Sequence, residues 1–104
     1  MTDLLGKWEQ PEGQPLPGLW FEFKGDGTYQ AELASMGILS GGTYVAAEGK
    51  IDMDQTEHTL GWLGKFEGIY AIEGDTLRLA LNNPGEARPV EFTPQNTRIY
   101  QRIG

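Results

Sequence analysis

Apolar residues alternate with polar ones along most of this chain, in short runs, and no window sustains a 3.6-residue period. Such patterning predicts strands that each turn one face toward a core. They fall at 4–10, 19–24, 28–34, 42–47, 49–54, 56–60, 65–73, 76–82, 88–93 and 97–103. Between the first two lies Gln10-Pro11-Glu12-Gly13-Gln14-Pro15-Leu16-Pro17-Gly18. Its prolines exclude a central strand, so it reads as a long loop.

Two hairpins carry their own register. A three-residue Gly25-Asp26-Gly27 loop sets Phe23 opposite Tyr29, Phe21 opposite Ala31 and Leu19 opposite Leu33. A two-residue loop would set Phe23 opposite Gln30 and break the apolar face. The longer loop needs a left-handed residue at its end, which Gly27 supplies. Glu22 and Glu32 then point outward. In the second hairpin, a Gly74-Asp75 turn opposes Ile72 to Leu77 and Tyr70 to Leu79, with Arg78 outside.

Elsewhere, Ile51 and Met53 share one face and Asp52 and Asp54 the other. Ser35 to Gly42 reads as a glycine-rich connection with apolar side chains, and Thr59 to Gly64 as a second. Asn82-Asn83-Pro84-Gly85 is a turn. Short strands with short connections make a meander, and closing it removes the exposed edges. The expectation is an all-β fold: one antiparallel up-and-down β-barrel of about 8–10 short strands, a single domain over 1–104.

Composition narrows the functions. The 15 glycines and 6 prolines would suit a disordered chain, but 11% aromatic and 38% hydrophobic residues make them punctuation between strands. A net charge of −7 without a basic patch argues against nucleic acid. Without cysteine there is no disulfide, thiolate chemistry or cysteine-ligated zinc. The start, Met1-Thr2-Asp3-Leu4-Leu5, lacks the basic and apolar regions of a signal peptide, and no stretch is long enough for a membrane span. A cytoplasmic protein is expected, with a mature form that has lost its leader as the alternative.

Leu5-Gly6-Lys7-Trp8 resembles the Gly-x-Trp start of the lipocalin and fatty-acid-binding-protein superfamily. The resemblance implies that Trp8 plugs one barrel end beneath an arginine from the last strand, with Arg102 the first choice and Arg98 the second. The ending Thr97-Arg98-Ile99-Tyr100-Gln101-Arg102 is similar to the closing Arg-x-Tyr strand of fatty-acid-binding proteins, which implies Arg98 and Tyr100 as holders of a ligand carboxylate. A broader likeness is to short bacterial lipocalin-like domains of unestablished function. It rests on Gly42-Thr43-Tyr44, Ile51-Asp52, the run Gly68 to Leu79, and Arg88-Pro89-x-Glu91-Phe92. The chain departs from fatty-acid-binding proteins in having no length for a helical lid.

From the residues themselves, Arg98 and Tyr100 lie two apart and share a strand face. If inward, the guanidinium needs an anionic partner. The favoured placement turns both outward and sets Ile99 and Ile103 in the core. Asp52, Asp54 and Glu57 lack the spacing of a calcium loop and read as a wet face. His58, the one histidine, has no cysteine to share a metal and no nucleophile elbow near Ser35 or Ser40. No metal, cofactor or catalytic residue is assigned. Trp20, Trp62, Met36 and Leu39 are large apolar groups at strand ends and loops, which either cap a barrel end or mark a binding surface. The expectation is a non-enzymatic barrel that takes a small hydrophobic ligand inside or at one mouth. The alternative is a protein-interaction module, monomer or homodimer, with a filled barrel and contacts through loops 35–42 and 59–64.

Overall fold

The computed structural model describes residues 4–82 and 85–104. Eight strands follow in order: β1 (Gly6–Glu9), β2 (Trp20–Phe23), β3 (Thr28–Leu33), β4 (Ile38–Ala47), β5 (Lys50–His58), β6 (Gly64–Glu73), β7 (Thr76–Leu81) and β8 (Thr97–Arg102). Each pairs antiparallel with the next, and β8 returns to β1 to close the barrel. The fold is an all-β, eight-stranded up-and-down barrel. Its one helical segment among the described residues is a 3₁₀ turn at Ala34–Met36.

Both hairpin registers read from the sequence are present. Phe23 faces Tyr29 and Phe21 faces Ala31, while Ile72 faces Leu77 and Tyr70 faces Leu79. Gly27 sits at φ +85°, a conformation that costs a residue with a Cβ, so it sets the loop length and hence the register. Asp26 reinforces the turn: its carboxylate accepts bonds from the Thr28 N–H and hydroxyl, which hold its pKa below the usual range.

Three predicted elements differ. The connection Ser35–Gly42 is mostly strand, because β4 begins at Ile38. Its glycines let the backbones of β4 and β5 come together: a Cβ on Gly42 would collide with the Asp54 carbonyl. The separate strands at 49–54 and 56–60 are one strand, β5, broken in register opposite Gly41 and Gly42. Gln55 pairs with Gly42 and Glu57 with Gly41, so Thr56 is the extra residue of a β-bulge. The strand at 88–93 is absent. Proline at 89 and 94 removes ladder donors on either side. Arg88 instead straps this connection to the outside of β5 and β6, donating to the Ile51 and Gly68 carbonyls and pairing with Asp52 and Glu67. Of the predicted turn at 82–85 and the chain start, residues 83–84 and 1–3 lie outside the described residues.

The core is built from Leu4, Trp8, Phe23, Tyr29, Ile51, Met53, Leu77, Leu79 and Tyr100. Aromatic rings interlock across it. Phe21 meets Tyr100 edge-on at 5.6 Å between centroids, and Phe23 meets Tyr44 at 5.0 Å. The favoured outward placement of Tyr100 is thereby corrected. Tyr100 lies opposite the fully buried Leu77, whereas Ile103 is 49% exposed and Ile99 only half-buried. A tyrosine tolerates that interior position because Gln10 reaches its hydroxyl.

Candidate functional site

The two barrel ends differ in their connections. One end carries the short turns at 24–27, 48–49 and 74–75 and both chain termini of the barrel. Here Trp8 is fully buried, its indole N–H donating to the Leu4 carbonyl. The Arg102 guanidinium stands 4.1 Å over the Trp8 ring, donates to the Leu5 carbonyl and faces Asp75 at 3.4 Å. Every group in this plug answers another.

The opposite end carries the loops 10–19, 34–37, 59–63 and the long connection after β7. Gln10 anchors the first of these. Its amide N–H donates to the Tyr100 hydroxyl at 3.1 Å, and its carbonyl oxygen accepts from the Leu16 N–H at 3.0 Å. Burial raises the Tyr100 pKa to about 12, against smaller opposing effects of Gln10 and Arg98, and burial raises Tyr29 further. Gln14 stands in for strand pairing by accepting from the Ile99 N–H.

Tyr100 and Arg98 share the inward face of β8, opposite Leu77 and Leu79 respectively. The hydroxyl of Tyr100 is engaged by Gln10, while Arg98 turns to the mouth. One nitrogen of Arg98 donates to the Gln95 and Thr97 carbonyls, each at 3.1 Å. Arg78, Arg88 and Arg102 each have a carboxylate partner, and among the described residues Arg98 has none. It lines a recess of about 500 Å³ with Leu81, Asn82, Glu86, Gln95 and Asn96.

Trp20 and Leu39 come together on the outer face. The strand register sets Trp20, Glu32 and Leu39 side by side across β2, β3 and β4, with Glu9 on the far side of Trp20. A groove of about 370 Å³ runs between Trp20, Gln30, Leu39, Glu57 and His58. Loop 59–63 is tied to this edge: the Thr59 N–H donates to the Leu39 carbonyl and its hydroxyl accepts from the Leu39 N–H. Trp62 stacks on His58 at 5.1 Å yet remains 65% exposed. Leu39, Leu60 and Leu63 are each more than half exposed, and so is Met36 on the 3₁₀ turn before β4.

Gln30, the stacking role of His58 and the place of Glu57 beside Trp20 and Leu39 escaped sequence reading, which has Glu57 only as part of a wet face. Alternation through β2 and β3 already puts Glu22, Glu32 and Trp20 on one outer face, but the bulge that turns Glu57 toward them leaves no sequence signal. Ser40 lies opposite His58. The His58 Nδ1, however, accepts from the Leu60 N–H at 3.0 Å and so has no proton to offer an orienting carboxylate. Asp52 is taken up by Arg88. Among the described residues no group of three or more carboxylates or histidines is arranged to hold a metal ion, and no helix is long and apolar enough to cross a membrane. No protein-family model, curated protein or solved structure matches this chain.

Proposed function

We propose that this is a non-enzymatic, lipocalin-like barrel that works from its outside: a recognition module whose binding surface is formed by Trp20, Met36, Leu39, Leu60, Trp62 and Leu63 around the open end. The carrying observation is the contrast between a packed core and an exposed apolar rim. Interlocked rings and aliphatic groups pack the barrel core, which supports recognition from outside. Met36, Leu39, Leu60, Trp62 and Leu63 stand instead more than half exposed on the 3₁₀ turn, the start of β4 and loop 59–63, which are tied together at Leu39 and Thr59. Clustered exposed apolar groups mark contact surfaces, whereas single ones do not.

The test is a Leu39→Ser/Trp62→Ser double variant, followed by 1,8-ANS fluorescence and thermal unfolding. The reading expects lost dye binding with a nearly unchanged Tm, because these side chains lie mostly in water and outside the core. A large drop in Tm would make them a structural cap and overturn the reading. So would saturable dye binding that fatty acids displace and that survives the substitutions.

Arg98 favours a second, compatible reading: a small anionic ligand at the mouth. Its guanidinium lacks a carboxylate partner and lines a recess of ligand size. Saturable binding of small carboxylates that disappears in Arg98→Gln supports this, and binding unchanged in that variant excludes it.

A further inference from the structure

We infer that the groove on the outer face of β2–β5 takes a basic segment of a partner protein that also carries large apolar side chains. This rests on the external recognition reading above and names its partner class.

Beside the groove the outer face dips where Gly41 leaves the backbone bare. In register across the outside lie Lys7, Glu22, Gln30, Gly41 and Glu57, on β1 to β5 in turn. Gly41 leaves a saddle between Gln30 and Glu57, and a Cβ there would press on the Tyr29 carbonyl at 3.0 Å. A second depression of about 250 Å³, lined by Lys24, Thr28, Gly41, Gly42 and Thr56, shares Gln30 and Glu57 with the first. The two depressions adjoin at Gln30 and Glu57, with Trp20 and Leu39 in the first and the Gly41 saddle in the second, and together they are the proposed trough.

The charge around this trough has an acidic excess: Glu57 lines both depressions, Glu9, Glu22 and Glu32 flank them in strand register against Lys7 and Lys24, and among the described residues none of the four glutamates is ion-paired. Two lysines of the chain lie at the trough itself: the Lys24 ammonium donates to Gln30, which both depressions share. The Lys7 ammonium sits 4.0 Å over the Trp20 ring, showing that this indole accepts an alkylammonium on its face. An acidic rim with an apolar, cation-accepting wall complements a lysine- or arginine-bearing segment with bulky apolar neighbours. The chain's own net charge of −7 opposes a second copy in this role.

The experiment uses the full chain and three end-blocked, fluorescein-labelled octapeptides that alternate Lys with Leu, Glu with Leu, and Lys with Ser. Fluorescence anisotropy at 50 and 300 mM salt reads binding. The inference expects the Lys–Leu peptide to bind at least ten-fold more tightly than either other peptide. It expects that binding to weaken about ten-fold in Glu32→Gln/Glu57→Gln, and to weaken with salt. Equal or tighter binding of the Glu–Leu peptide overturns the inference while leaving an apolar recognition surface in place. Absence of peptide binding, with dye binding still abolished by Leu39→Ser/Trp62→Ser, overturns it in the same way. If those substitutions leave dye binding untouched, the external reading itself fails.

Discussion

The two ends of this barrel solve the same problem differently. At the plugged end a tryptophan, an arginine and backbone carbonyls satisfy one another, and Trp8 and Leu4 are completely buried. At the other end Trp62 finds only His58 to stack on and keeps most of its surface in water. Both ends contain tryptophan and aliphatic groups, so composition does not separate them. What separates them is whether the chain brings a cover. A barrel whose stability resides in one end and its middle is free to leave the other end apolar and exposed.

That comparison breaks first at Trp8. Trp8→Ala should cost about 3–5 kcal/mol, read as a lower urea midpoint, because it empties the plug and removes the ring beneath Arg102. A loss as small as that of a surface substitution would mean the plug does not hold the barrel.

The middle is probed by alkali. Tyr100 is held neutral up to about pH 12, whereas in the unfolded chain it ionises near 10. Below pH 10 the phenol is protonated in both states and stability is fully present. Between about 10 and 12 only the unfolded chain releases the proton, so stability falls by about 1.4 kcal/mol per pH unit per such tyrosine. Tyr29, also raised by burial, acts in the same direction. Urea midpoints at pH 9, 10, 11 and 12 should slope downward, less steeply in Tyr100→Phe. An unchanged slope in that variant would place Tyr100 in contact with water.

Gln10 joins the middle to the open end. Gln10→Ala should destabilise by about 1–3 kcal/mol, because it leaves the Tyr100 hydroxyl and the Leu16 N–H without their partner. Circular dichroism melts would register this as a lower Tm. The smallest effect belongs to the exposed rim. Leu39→Ser or Trp62→Ser should move stability by less than about 0.5 kcal/mol while reducing dye binding. A loss comparable to that of Trp8→Ala would erase the distinction between the two ends.

The sequence made the barrel legible where turn chemistry sets register. Gly27 and the Gly74-Asp75 turn leave one apolar pairing each, and those pairings are the ones present. It was less legible where glycine serves a strand rather than a loop. Gly41 and Gly42 look like a connection, but they are where β4 lies too close for a side chain, to β3 at Gly41 and to β5 at Gly42. The polar run Gln55 to His58 hides a bulge, because an extra residue shifts the alternation on which strand reading depends. Val90 and Phe92 alternate like a strand, yet with prolines on either side and Arg88 strapped to β5 and β6 the segment is irregular.

At the candidate surface, Trp20, Leu39, Met36 and Trp62 were recognisable as apolar groups in exposed-looking places. Their grouping with Glu57 and His58 depends on the pairing of β4 with β5, which joins residues far apart in the chain. The Arg98 and Tyr100 pair shows the limit from the other side. Two-residue spacing correctly gives them one face, but which face depended on Gln10, 90 positions from Tyr100, supplying a buried hydroxyl with its bond.

The most direct test uses the three tryptophans as reporters, since Trp8 is inside while Trp20 and Trp62 lie on the proposed surface. Their indole N–H resonances are followed in ¹⁵N-labelled protein during titration with 1,8-ANS. Recognition from the outside predicts saturable shifts at Trp20 and Trp62 with Trp8 unmoved. Shifts at Trp8, or no shift at any of the three, would contradict it.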